Sequence, residues 1–161
     1  MPTDHIFTAD VFWKGNLGTG TSGYDDYSRN HEVRSGLAPV LVASSEEAFA
    51  GDPERWNPEQ LLISAVAQCH MLWALDIAAR NGVVIVAYRD HACGVLEINH
   101  DGSGQIREVW LRPEVVVAQD QMVERMDKIH AMAHRMCFIA RSIKAEVHIE
   151  GRSLADRRRN R

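Results

Sequence analysis

Residues 57–70 read Asn-Pro-Glu-Gln-Leu-Leu-Ile-Ser-Ala-Val-Ala-Gln-Cys-His, and they contain the strongest secondary-structure signal in the chain. The Asn is a favourable N-cap, the Pro after it suits the first helical position, and the Gln three residues after the cap completes a capping box. The apolar residues that follow predict a helix that continues to about Arg80, where Asn81-Gly82 supplies a left-handed stop. This long helix carries Cys69, the first candidate reactive group.

β-strands are predicted on both sides of this helix. The stretches with strand-like alternation or composition are residues 5–15, 24–33, 39–43, 83–101, 105–118 and 144–150. The fourth and fifth stretches predict a long hairpin around Asp101-Gly-Ser-Gly104, with a bulge or an edge at Pro113.

A second helix is predicted from about Asp120. Its inward-facing stripe consists of Met122, Met126, Ile129, Ala133 and Cys137. The order strands, helix, hairpin, helix, strand predicts an α+β protein, because sustained βαβ alternation is missing. We expect residues 1–151 to form a single domain and the Arg-rich residues 152–161 to form a disordered tail.

Composition and charge are those of an ordinary soluble globular protein, with 45% hydrophobic and 25% charged residues among 161. The net charge is −4 although the tail holds five Arg, and so acidic a body argues against nucleic acid as the main partner. The longest apolar stretch, residues 61–79, is interrupted by Gln68, His70 and Asp76, which disfavours a membrane span. Three cysteines are too few for a disulfide scaffold, and the N-terminus lacks a signal-peptide pattern, so we expect a cytoplasmic protein with reduced thiols.

A dinucleotide-binding motif is suggested by Gly18-Thr-Gly-Thr-Ser-Gly23, which matches the pattern G-x-G-x-x-G. That motif functions by opening a helix whose amide N–H groups hold a pyrophosphate. Here Tyr-Asp-Asp-Tyr-Ser-Arg follows, without an apolar helical period. We therefore interpret the segment as a loop and reject nucleotide binding.

Two cysteines are predicted in helical, apolar surroundings close to a histidine: Cys69 precedes His70, and Cys137 follows His134 by three residues. A thiol in such a place is normally inert, because burial favours its neutral form. Both cysteines lie on inward-facing stripes, however, so the two sulfurs could approach each other, and a nearby arginine would keep one of them charged. The inert and the reactive interpretation both stay open at this point, and Cys93 is predicted to be a strand residue with a packing role only.

Zinc is the competing chemistry for the same region. Cys69, His70, His134 and Cys137 together offer two thiolates and two imidazoles. Cys69 and His70 are adjacent on a helix, however, and therefore point about 100° apart. A zinc-stabilised structural domain is thus an alternative, and our main interpretation contains no metal.

The motif Asn57-Pro-Glu-Gln-Leu-Leu…Gln-Cys69, together with His134-x-x-Cys137, resembles the OsmC/Ohr family of osmotically inducible and organic hydroperoxide resistance proteins. The similarity covers roughly residues 13–150 and includes the order of the elements. It implies an α+β OsmC-like fold, in which antiparallel sheets wrap around a central buried helix, and an intertwined homodimer.

The resemblance also implies a function: a cysteine-based peroxidase with peroxiredoxin-like chemistry, an antioxidant of the stress response. By position, Cys69 matches the peroxidatic cysteine, Cys137 the resolving cysteine and Glu59 the glutamate that orients a catalytic arginine. Arg29 is our choice for that arginine, with Arg34 second. The implied partners are an organic hydroperoxide, an external dithiol reductant of lipoyl type and a second copy of the chain. A cofactor, nucleic acid or a membrane is not expected.

Two positions depart from the family pattern, because Phe138 stands after the second cysteine where proline is usual, and His70 after the first where phenylalanine is frequent. The thiol pair itself is intact. Apolar residues around it would favour an organic peroxide over hydrogen peroxide: Met71, Leu72, Trp73, Met136 and Phe138.

A dimer is also a geometric condition of these assignments. Glu59 and Cys69 lie ten residues apart on one helix, which separates them by about 15 Å at about 1.5 Å per residue. If both serve one site, two copies of the helix must cross antiparallel in a two-fold dimer. An alternative function is a protein of this fold without peroxidase turnover that binds a hydrophobic ligand or a partner at the dimer cleft.

Overall fold

A computed structural model describes residues 3–156 and contains two compact units. The first unit ends at Leu61 and the second begins at Leu62, so the boundary falls in the first turns of helix α1 (Pro58–Arg80). That residues 1–151 form a single domain stays a prediction.

The first unit contains a three-stranded antiparallel sheet in the order β1 (Asp10–Trp13), β2 (His31–Arg34) and β3 (Leu41–Ala43). Strands β1 and β3 lie within predicted extended stretches, whereas β2 overlaps only the end of the predicted stretch 24–33 and continues to Arg34. The glycine-rich segment after β1 forms turns, in which the Asn16 side chain accepts hydrogen bonds from the N–H groups of Gly18 and Gly20 at 2.9 and 3.0 Å. Because no helix follows these turns directly, the loop interpretation is confirmed.

Helix α1 begins as its capping residues predict. The Gln60 N–H donates to Asn57 Oδ1 at 2.8 Å, and the Asn57 N–H donates to Gln60 Oε1 at 3.3 Å. The helix runs to Arg80, and Gly82 follows with a φ of +66°.

Helix α1 is only partly buried within a single chain, so the central buried helix stays a prediction for the dimer. Only five residues of α1 are buried: Val66, His70, Ala74, Ile77 and Ala78. By length and composition α1 could cross a membrane, although the core helices of soluble proteins meet the same test.

The second unit contains two three-stranded sheets. Their strands are β4 (Ile85–Asp90), β5 (Cys93–Ile98), β6 (Gly104–Leu111), β7 (Pro113–Val117), β8 (Glu146–Ile149) and β9 (Arg152–Ala155). The predicted hairpin is present, but it breaks at residues 91–92 and at Arg112, so that β4 pairs with β7 and β5 with β6.

These sheets correct two predictions. They are mixed rather than antiparallel, because β8 runs parallel to β6 and β9 parallel to β7. Strand β9 lies within the segment predicted to be a disordered tail, since its backbone pairs with β7; residues 157–161 of that predicted tail lie outside the described part of the chain. The α+β class itself is confirmed.

The second predicted helix is interrupted. It begins with a 3₁₀ turn (Asp120–Arg125), continues as α2 (Met126–Met136) and breaks at Cys137, after which α3 (Phe138–Ser142) begins. The break follows from the extended backbone of Cys137, whose φ is −65° and ψ 109°. Its sulfur caps α3 by accepting the Ala140 N–H at 3.4 Å.

The core of the second unit fixes the position of α1. The second half of α1 packs with α2 and β7 through Ala74, Ile77, Ile129, Val115 and other buried apolar residues. Nearer its start, Val66 packs against Val109 and Leu111 of β6. Gly94 on β5 permits this approach, because a Cβ atom there would lie 2.7 Å from Ile63 Cδ1. Cys69 thus lies on α1 between the residues that pack against β6 and those that pack against α2 and β7.

Candidate active site

Two cysteine side chains, one on α1 and one at the break after α2, interact with each other. Cys69 is partly buried on α1, and Cys137 is 1% exposed at the N-cap of α3. The two side chains are hydrogen-bonding neighbours, and both are free thiols. The sequence pattern predicted both cysteines on inward-facing helix stripes, and in the structure their side chains are close enough to interact.

Burial raises the pKa of the Cys137 thiol to about 11. The backbone N–H groups of Ala140 and Ile139 oppose this shift, whereas the hydrogen bond and charge of Cys69 add to it. Cys137 is therefore protonated near neutral pH, and its S–H group can donate to the Cys69 sulfur.

Aromatic side chains next to both cysteines form an apolar wall. Trp73, one turn after Cys69, packs edge-on against Phe138 with ring centroids 5.4 Å apart. Phe138 is 66% exposed and Leu72 is 58% exposed. This accessible apolar surface suits the hydrocarbon part of a small molecule.

His70 pairs with His130, a histidine that was not among the residues predicted for the site. Its Nε2 lies 3.0 Å from Nδ1 of His130, and the two rings stack with centroids 5.2 Å apart. Both side chains are buried. Within residues 3–156, no three side chains of His, Cys, Asp or Glu are grouped so that they could hold a metal ion.

These histidines are neutral at physiological pH. Burial, together with the neighbouring His130 and His134, lowers the pKa of His70 to about 4. Burial also lowers the pKa of His130, against the opposing charge of Asp127.

The candidate residues of the first unit are Glu59, Arg29 and Arg34. Glu59 is partly buried in the first turn of α1. The guanidinium of Arg29 lies over the rings of Tyr24 and Tyr27 at 4.3 and 4.2 Å, and its Nη1 donates to the Tyr27 carbonyl oxygen at 2.8 Å.

Arg29 and Arg34 differ in whether a guanidinium N–H group is left to bind a ligand. Arg29 Nη2 is buried and has no hydrogen-bond partner among the residues that the structure describes. Arg34 Nη2 instead pairs with Glu32 at 2.6 Å. Arg29 therefore retains a donor for a ligand, which favours it over Arg34.

The prediction of a packing role for Cys93 is wrong. Its side chain is exposed on β5, and its sulfur accepts a hydrogen bond from Arg112 Nη1 at 3.2 Å. The register of the hairpin indicates the contact between Cys93 and Arg112. Cys93 lies opposite Trp110, and Arg112 follows Trp110 by two residues, so its side chain lies on the same face of the sheet.

His130 was also missed, although the sequence contains a signal for it. His130 and His134 are four residues apart, a spacing that places both on one face of a helix. His130 also adjoins Ile129 of the predicted buried stripe, which indicates that its ring reaches the core.

Comparison with solved structures identifies relatives of the same fold. An OsmC-like protein of unknown function from Vibrio cholerae superimposes with a TM-score of 0.82 at 30% identity, covering 92% of this chain and 99% of that one. An organic hydroperoxide resistance protein from Elizabethkingia anophelis, with thiocyanate bound, superimposes with a TM-score of 0.70 at 14% identity, covering 97% and 100%. At that identity the second likeness concerns the fold alone.

Comparison of sequences leads to the same family. The uncharacterized protein YmaD of Bacillus subtilis is 23% identical over 151 residues, which are 91% of this chain and 92% of the relative. Residues 51–151, more than half of the chain, match the family described as OsmC-like protein. The chain therefore belongs to the OsmC-like protein family.

Proposed function

We propose that this protein is a cysteine-based peroxidase that reduces organic hydroperoxides, with Cys69 as the attacking thiolate and Cys137 as the resolving thiol. The observation that carries this assignment is the side-chain interaction of Cys69 with Cys137, which together with burial raises the pKa of Cys137 while both remain free thiols. Family membership supports it, because structural relatives include proteins named for organic hydroperoxide resistance.

The two thiols have different roles in the reaction. The Cys69 thiolate attacks the terminal peroxide oxygen; an S–O bond forms, the O–O bond breaks, and the alkoxide leaves as an alcohol after taking a proton. Cys137 then gives up its proton and attacks the Cys69 sulfenic acid, which forms the disulfide and releases water. An external dithiol restores both thiols by exchange and becomes a disulfide itself.

The protonation state of Cys137 supports this order. Because burial keeps Cys137 protonated, its S–H can stabilise a thiolate at Cys69 rather than compete with it for the peroxide. The apolar wall of Trp73 and Phe138 favours a hydroperoxide with a hydrocarbon group. We further propose a dihydrolipoyl-type dithiol as reductant and a cytoplasmic location, where such thiols stay reduced.

A homodimer completes the proposed site. Since Glu59 and Cys69 are about 15 Å apart along α1, Glu59 of one protomer would approach Cys69 of its partner, and Arg29 would place its unpartnered Nη2 on the thiolate. Exposed apolar side chains support such an interface. They include Phe7, Val11, Phe12 and Trp13 near β1 and Leu72 on α1.

The test is steady-state consumption of tert-butyl hydroperoxide with dihydrolipoamide as reductant. The Cys69→Ser variant should lose turnover entirely, whereas the matched Cys93→Ser variant should retain the rate of the unmodified protein. Full activity in Cys69→Ser would overturn the proposal. If the unmodified chain forms an intact dimer but is inactive, the alternative is favoured, namely a protein that binds a hydrophobic ligand at the dimer cleft. If sedimentation shows a monomer that is fully active, the two protomers do not share an active site.

A further inference from the structure

A cavity of about 390 Å³ lies between one face of α2 and the chain that leaves β8. Its polar lining consists of Asp127, His130 and His134 on α2 and of Glu150 with Gly151 after β8. The proposed peroxidase reaction uses none of these residues, so the cavity calls for a separate explanation.

His130 is the buried wall of this cavity. The residue is 6% exposed, and its Nδ1 is occupied by His70 at 3.0 Å. Its Nε2 is buried and finds no hydrogen-bond partner within residues 3–156, and the same is true of His134 Nδ1. Buried polar atoms without partners are costly, so such atoms at a cavity indicate a polar ligand.

Gly151 keeps the approach to His130 open. A Cβ atom at this position would lie 3.6 Å from His130 Nε2 and 3.0 Å from Pro113 Cγ. A side chain here would therefore occupy the space in front of the unpartnered nitrogen.

Charge selects the class of ligand. The charge of Asp127 acts on His130, and Glu150 adds a second carboxylate, although Arg112 Nε shares it at 3.3 Å. Since burial lowers the pKa of His130, its ring is neutral and does not offset these carboxylates. The cavity thus disfavours anions, and its side chains do not form a three-ligand metal group in the described chain.

We infer that this cavity binds a small organic cation with an ammonium or guanidinium group, whose N–H groups donate to His130 Nε2 and to the carboxylates of Asp127 and Glu150. The inference goes beyond the peroxidase function and does not depend on it. Binding also has a consequence inside the protein: when Nε2 accepts from the ligand, the neutral His130 ring carries its proton on Nδ1 and donates it to His70. The ligand thereby selects one of two tautomers.

The experiment is a titration of the intact, reduced protein with 1,4-diaminobutane, followed by long-range ¹H–¹⁵N correlation spectra of the histidine rings. We expect a saturable change that identifies His130 Nε2 as an unprotonated acceptor. The neutral analogue 1,4-butanediol should leave the spectrum unchanged, and the guanidinium analogue 1-amino-4-guanidinobutane distinguishes between the two cationic groups.

Variants separate the site from a general surface charge. Asp127→Asn removes an exposed carboxylate at the rim and should weaken diamine binding about 10-fold. The matched control Glu124→Gln, an exposed carboxylate outside the cavity lining, should bind as the unmodified protein does. Cys69→Ser should bind equally well, which keeps this test independent of peroxidase activity.

Three results would overturn the inference. They are the lack of a saturable change with both cations at millimolar concentration, an equal response to the diol, and tight Zn²⁺ binding that shifts His130 and His134 together and excludes the diamine.

Discussion

Cys137 and Cys93 lie in opposite surroundings in the same chain. Cys137 is buried and interacts with the side chain of a second cysteine, whereas Cys93 is exposed on a strand and contacts the guanidinium of Arg112. An arginine can stabilise a thiolate, but a reversible two-thiol cycle needs a second sulfur within bonding range. The comparison therefore supports the proposal that the redox chemistry belongs to the Cys69–Cys137 pair, and it predicts that Cys93 is open to alkylation but takes no part in the cycle.

The largest expected effect comes from removing Cys137. Because the disulfide cannot form, Cys137→Ser should consume one equivalent of alkyl hydroperoxide and then stop, with a sulfenic acid at Cys69 that dimedone labels. Mass spectrometry of the labelled peptide measures this outcome, and Cys93→Ser is the control. The different roles proposed for Cys137 and Cys93 are contradicted if Cys137→Ser turns over at the normal rate or if the label is found on Cys93.

The next largest effect distinguishes Arg29, the proposed catalytic arginine, from Arg112, which contacts Cys93. Arg29→Ala should lower kcat/KM for tert-butyl hydroperoxide roughly 10- to 100-fold, since a charge-assisted hydrogen bond is worth about 1.5–3 kcal/mol. Arg112→Ala removes the contact with Cys93 and should change kcat/KM less than about 2-fold. A larger loss for Arg112→Ala than for Arg29→Ala would move the active thiol to Cys93.

Acid stability tests the buried surroundings that His70 shares with His130. The pKa of His70 is about 4 in the folded chain and 6.5 as its ordinary value, so between these values the unfolded chain binds a proton that the folded chain does not. The free energy of unfolding should therefore be highest above pH 6.5 and fall by about 3 kcal/mol as the pH decreases to 4.

Urea denaturation at several pH values measures this dependence. His70→Gln should flatten it, whereas His100→Gln, in an exposed turn, should leave it unchanged. An equally steep loss of stability in both variants would show that His70 is accessible to protons in the folded state.

The smallest expected effect concerns the cap of the helix that carries Cys69. Asn57→Ala removes the acceptor of the Gln60 N–H and the donor to Glu46, and should lower the free energy of unfolding by about 1–2 kcal/mol. Asn99→Ala, in an exposed turn, is the control and should cost less. Equal losses in the two variants would mean that the cap does not stabilise α1.

Local rules explain the predictions that the structure confirms. The bounds of α1 follow from Asn57, Pro58 and Gly82, because caps and positive-φ glycines act within one turn of the chain. The α+β class follows in the same way from alternation and helical period.

Tertiary packing explains the features that the sequence did not predict. The extended backbone of Cys137 interrupts a helix whose sequence pattern is continuous, and β9 forms because a distant strand, β7, is available to pair with it. The burial of His130 depends on the position of His70, sixty residues away, and helical spacing alone does not reveal that partner.

The most direct measurement is a count of free thiols before and after one equivalent of tert-butyl hydroperoxide, with the remaining thiol and any disulfide located by peptide mapping. We predict that two of the three thiols disappear, that a Cys69–Cys137 disulfide forms, and that Cys93 stays free. Retention of all three thiols, or oxidation confined to Cys93, would contradict the proposed function.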